Sequence, residues 1–124
     1  VGLDKVANWL VENGYKEGYA TFWNGSAMVE MTSGKLDVWM PGDLNNVSIE
    51  GWLQPDYHLT RYPEHPFVLV DTETNGAPEE NGLIRNGHGT EVYNDGRYVV
   101  YAFDSTEDIC AAAEITATER AENQ

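Results

Sequence analysis

The residues with the most to offer chemically are aromatic and polar. Trp9, Trp23, Trp39 and Trp52, with Tyr57 and Tyr62, supply flat faces of the kind on which a sugar ring stacks. Asn24 and Ser26 follow Trp23 directly and bring short polar side chains able to fix hydroxyl groups. Trp23, Asn24, Ser26 and Trp52 are therefore the candidate ligand-binding residues. Core packing is the competing role, because large aromatics mostly fill interiors. Trp9 lies off the apolar stripe of its segment and Trp39 ends an alternating one, so at least one of the two is expected to be partly exposed.

Other chemistries are weakly signalled. His58, His65 and His88 are the only histidines, and Pro63 between the first two keeps them off one helical face. That spacing matches no zinc motif, and no metal ligand set or cofactor is assigned. A histidine could still act as a general base if a carboxylate oriented it, which makes a small hydrolase using His58 or His88 the third-ranked reading. Asp71-Thr72-Glu73-Thr74-Asn75-Gly76 resembles the front of a calcium loop, but Gly82 stands where the closing glutamate belongs and Pro78 interrupts the middle. Cys110 is the only cysteine, with three alanines after it and no activating base nearby. Asn24-Gly25-Ser26 and Asn46-Val47-Ser48 match the N-glycosylation pattern and are assigned no function. There is no nucleophile elbow, phosphate-binding glycine loop or Cys-x-x-Cys pair. No catalytic residue is assigned.

Composition narrows the partners. With 21 acidic and 7 basic residues the net charge is -14, which repels nucleic-acid phosphates and anionic lipid headgroups. Nucleic acid is excluded as a partner on that ground. A chain of 124 residues suits one domain, and its 41% apolar content is that of a folded protein. No apolar run approaches the ~20 residues that span a bilayer. The chain opens at Val1 without an initiator Met, and the expectation is a domain excised from something longer.

The elements that must position these residues follow from spacing. Leu3, Val6, Ala7, Leu10 and Val11 form an amphipathic helical stripe that Gly14 ends. Gly18 to Trp23 reads as a central buried strand, running into a short helix capped by Asn24 or Ser26 and stopped by Ser33-Gly34. Lys35 to Met40 alternates as a half-exposed strand, and this compact strand-helix-strand favours parallel pairing. Leu44 to Pro66 is irregular. Phe67 to Asp71 is an interior strand and Asn75 to Gly82 an exposed loop. Glu91-Val92-Tyr93 and Tyr98 to Phe103 flank Asn94-Asp95-Gly96-Arg97, a strong hairpin signal. The fold class is α/β, with α+β the alternative: a single domain over residues 1–104, with a mixed sheet, helices packed on it, and an acidic, alanine-rich tail over 105–124 that is partly helical or frayed.

In Asn13-Gly14-Tyr15 and Gly18-Tyr19-Ala20-Thr21-Phe22-Trp23-Asn24 the chain resembles the soluble extracytoplasmic C-terminal domains of bacterial polytopic membrane proteins related to the dolichyl-phosphate-mannose mannosyltransferase type of glycosyltransferase. The order of the later elements, through the Trp52-Leu53 segment, the Phe-Val-Leu-Val strand and the Tyr-rich strand, extends the likeness from Leu3 to Asp104. The resemblance implies a non-catalytic accessory domain on the extracytoplasmic face of the membrane. Its partners would be its own membrane-embedded portion and a saccharide or glycan acceptor. The catalytic carboxylates of such enzymes lie in membrane loops outside this chain, so none is carried over. The alternative is a stand-alone extracellular module that binds carbohydrate or protein.

Overall fold

The computed structural model describes residues 2–49, 51 and 54–109. A helix α1 (Gly2–Glu12) leads into strand β1 (Glu17–Tyr19), helix α2 (Phe22–Met31) and strand β2 (Asp37–Trp39). After an irregular stretch with a 3₁₀ turn at Asp56–Leu59 come strand β3 (Phe67–Asp71), the one-turn helices α3 (Thr72–Asn75) and α4 (Gly82–Arg85), and the hairpin of β4 (Thr90–Asn94) and β5 (Tyr98–Ala102). The five strands lie in the order β2-β1-β3-β5-β4. β1 pairs in parallel with β2 and β3, while β5 pairs antiparallel with β3 and β4. This is the mixed α/β sheet expected from the sequence, with its parallel strand-helix-strand start and antiparallel hairpin.

The pleat sorts alternate residues to two faces. Phe67 and Leu69 of β3, Val38 of β2, and Tyr98 and Val100 of β5 join Val6, Ala7 and Leu10 of α1 and Met28 of α2 on one face. Val68 and Val70, Trp39, and Val99 point to the other, where Leu44, Leu83, Phe103 and Ile109 cover them. Because both faces are covered, all five residues of β3 are buried. A strand inside such a sheet is apolar without alternation, which is why it reads so plainly in sequence.

Helix α1 ends as its glycine predicts. The Tyr15 N–H donates to the Leu10 carbonyl at 3.0 Å and the Gly14 N–H to that of Val11 at 3.2 Å, with Gly14 at φ +83°. This is a Schellman closure, and it needs a residue tolerant of positive φ. The central strand is shorter than expected. It stops at Tyr19, and α2 begins at Phe22 after Thr21, so Asn24 and Ser26 lie inside the helix instead of capping it. Phe22 and Val29 pack against the core from this helix, and Gly25 sits where a Cβ would lie 2.6 Å from Met40 Cγ. Burial of that face overrides the β-favouring aromatics.

Strand β2 is also more buried than alternation suggested. Trp39 is 1% exposed, because residues 54–61 fold over this edge of the sheet. The Met40 N–H donates to Gln54 Oε1 and Gln54 Nε2 donates to the Met40 carbonyl, both at 2.9 Å, so a side chain satisfies backbone groups just past the edge strand. The loop expected from Asn75 to Gly82 contains a 3₁₀ turn at Pro78–Glu80 and leads into α4. Ser105 bridges to Glu64, and Thr106 and Ile109 are buried. The rest of the tail, Cys110 to Gln124, lies outside the described residues, as do Trp52 and Leu53 of the resemblance.

Gly18 is the tightest point of the sheet. A Cβ there would stand 2.4 Å from the Phe67 carbonyl oxygen and 2.5 Å from the Phe67 ring. Backbone cannot yield as a flexible side chain can, so Gly18→Ala is expected to lower unfolding free energy by about 1–3 kcal/mol, read from urea denaturation. Unchanged stability would mean that β1 and β3 do not approach this closely.

Candidate functional site

The end of the sheet where the parallel strands β1 and β3 finish is where open α/β sheets most often hold ligands. α2 starts there, and its first turn carries Trp23 into solvent at 83% exposure. Its ring meets Phe22 in a T-shaped contact, with centroids 5.3 Å apart, and is otherwise open to solvent over most of its surface. Such exposure is unusual for a tryptophan, which is highly buried on average.

Beside Trp23 lies a polar knot. Asp71 ends β3 and is 1% exposed, so its charge must be satisfied internally. Asn24 Nδ2 donates to Oδ2 at 3.1 Å, Arg97 Nε to Oδ1 at 3.1 Å and Arg97 Nη2 to Oδ2 at 3.2 Å. The Glu73 N–H donates to Oδ1 at 3.1 Å, which makes Asp71 the cap of α3. Arg97 reaches on to Glu73 at 3.2 Å and stacks over the Tyr98 ring at 4.9 Å. Burial by itself would raise the Asp71 pKa. The Arg97 guanidinium, the Asn24 amide and the Glu73 N–H together outweigh it, and the carboxyl is held below its ordinary value.

The sequence candidates thus fare differently. Trp23 is accessible, and Asn24 is next to it but tied to Asp71. Ser26 points inward, its Oγ 3.5 Å from Met40 Sδ, and so stands apart from the other two. Trp52 lies outside the described residues. Sequence offers Asp71 only as part of a calcium-like segment and does not join it to Arg97. The available signal was a carboxylate closing an apolar run, since a charge in that position needs a partner. In the calcium-like segment Asp71 and Asn75 are turned to the fold, Asn75 Oδ1 accepting the Asp71 N–H at 3.0 Å and both Asp71 oxygens being engaged, while Glu73 stays exposed beside Arg97. Among the described residues no group of three or more His, Cys, Asp or Glu side chains could hold a metal ion.

A histidine does meet a carboxylate. His58 is buried with Nε2 2.7 Å from Asp37 Oδ1 and Nδ1 3.0 Å from Gln54 Oε1, its ring stacked 3.9 Å from Trp39. The Tyr57 hydroxyl donates to the other Asp37 oxygen, and that bond pushes the phenol pKa up to about 12. Both ring nitrogens of His58 are engaged, so neither is presented to a substrate as a base. Arg61 closes the cluster, pairing with both oxygens of Glu17 at 3.0 and 2.7 Å and lying over Trp39 at 5.0 Å. These bonds fasten residues 54–61 to β1 and β2. They serve the fold.

Because the Asp71 pKa is lower folded than unfolded, its contribution to stability is complete above about pH 4, the unfolded range, and is lost as pH falls through the folded value. Asp71→Asn is expected to be about 3 kcal/mol less stable than wild type at pH 7, a deficit that narrows below pH ~4. Urea midpoints at neutral and acid pH measure this, and a deficit independent of pH would contradict the assignment.

No family model, no curated protein and no solved structure matches this chain.

Proposed function

We propose that the chain is a non-catalytic accessory domain that holds a saccharide or glycan acceptor against Trp23. The observation that carries this reading is the 83% exposed indole, set on a helix turn that Asn24 locks to the buried Asp71. A sugar ring presents axial C–H groups that pack on an aromatic face, while its hydroxyls need polar neighbours around the rim. Asn24 adjoins the indole on the same helix turn, and the knot around Asp71 fixes that turn before any ligand arrives, which limits the ordering lost on binding. The resemblance in Gly18 to Asn24 to extracytoplasmic domains of polyprenyl-phosphate-dependent glycosyltransferases agrees with this role and would put the domain beside a membrane active site. A hydrolase with His58 as its base is disfavoured by the closed hydrogen bonding of that ring.

Calorimetric titration with uncharged oligosaccharides tests the proposal. Trp23→Ala is expected to weaken binding at least about tenfold, roughly 1.4 kcal/mol. Thermal stability should change little, because the side chain is mostly in solvent. Equal affinity of variant and wild type would overturn it.

A further inference from the structure

At the opposite end of the sheet the start of β1, the approach to β3, and the paired ends of β4 and β5 enclose a cleft of about 630 Å³. That volume lies within the range of small-ligand sites. We propose that this cleft is a second saccharide site, selective for uncharged sugars, with Tyr15 as its aromatic wall and Lys16, His65, Thr90 and Asp104 as its polar contacts. It rests on the reading of the domain as one that holds saccharides, but it uses none of the residues around Trp23.

The wall is rigid. Tyr15 stacks on Trp9 at 5.8 Å, with rings 23° apart, and meets Phe67 edge-on at 6.4 Å, so its orientation is fixed from behind while the residue stays half-buried. The Schellman closure sets its backbone, with the Tyr15 N–H on the Leu10 carbonyl. The polar groups around it contrast with those at the Trp23 end. Asp71 there is fully committed to the fold, and in the cleft Glu17 is likewise committed to Arg61 and to the Glu64 N–H at 2.8 Å. Lys16, His65, Thr90 and Asp104, by contrast, are exposed, and among the described residues their side chains make no hydrogen bond or ion pair. A cleft in which donors and an acceptor stand uncommitted around a fixed aromatic face matches the mixed hydroxyl chemistry of a sugar.

His65 adds an independent sign. Its φ is +44°, in the left-handed region that disfavours a side chain. The strain persists because both neighbours are anchored: Glu64 bridges to Ser105, and the Pro66 carbonyl accepts the Phe103 N–H at 2.9 Å. Backbone strain held in this way gathers at binding sites. The charge balance selects the ligand class. With Glu17 paired to Arg61, Glu64 and Asp104 still outnumber Lys16, so a phosphorylated or uronic sugar would meet repulsion where a neutral one would not.

The test is a ¹H–¹⁵N titration of the whole 124-residue chain with maltose, cellobiose, mannobiose and diacetylchitobiose, and with inorganic phosphate as the anionic probe. Saturable shifts at Tyr15, Lys16 and Thr90 that persist in Trp23→Ala are expected with at least one disaccharide. Asp104→Asn and His65→Gly should each weaken them at least about fivefold; the second relieves the backbone strain, so loss of fold does not explain its effect. Shifts confined to the Trp23 end would overturn the second site and leave the proposed function standing. Shifts at neither end would overturn both. Cleft shifts with phosphate but no sugar would overturn the ligand class.

Discussion

A buried carboxylate tolerates no vacancy among its hydrogen bonds, and Asp71 imposes that rule on three separate parts of the chain. Asn24 comes from the first turn of α2, Arg97 from the hairpin turn and Glu73 from the turn after β3. Each must arrive for the charge to be satisfied, so the start of α2, the end of the central strand and the hairpin are fixed relative to one another. Trp23 inherits that rigidity. It is displayed by an element whose position the core and the carboxylate both determine.

The rest of the architecture follows from a sheet covered on both faces but unevenly. α1 and α2 cover one face with regular helix, whereas the other is closed by Leu44, α4 and the segment that reaches Ile109. Irregular coverage needs side chains to replace missing backbone partners. Gln54 therefore binds both polar groups of Met40, Asn45 Oδ1 accepts the Gly82 N–H at 2.8 Å, and His58 and Arg61 bond to β2 and β1. The histidine-carboxylate pair that would suggest catalysis is accounted for by this requirement.

Local signals carried what sequence could show. The stripe from Leu3 to Val11, the unbroken apolar run of β3, and Asn94-Asp95-Gly96 each specify an element within a few residues, and each stands where its pattern places it. The start of α2 did not read correctly, since Phe22 and Trp23 favour strand locally while packing of Phe22 and Gly25 favours helix. Trp39 is buried by His58, nineteen positions away, and Asp71 is satisfied by Asn24 and Arg97 at separations of 47 and 26 residues. No window of sequence contains those pairs. The candidate site was legible as Trp23 and Asn24, but the knot behind it and the cleft opposite it were not.

The proposed saccharide-holding role rests on a scaffold that fixes aromatic faces at the two ends of one sheet. The most direct measurement of that claim is an intermolecular nuclear Overhauser experiment on the chain with an uncharged oligosaccharide bound. The account predicts contacts between the Trp23 indole protons and the C–H face of a sugar ring. Absence of any Trp23 contact, with the sugar bound elsewhere or not at all, would contradict it.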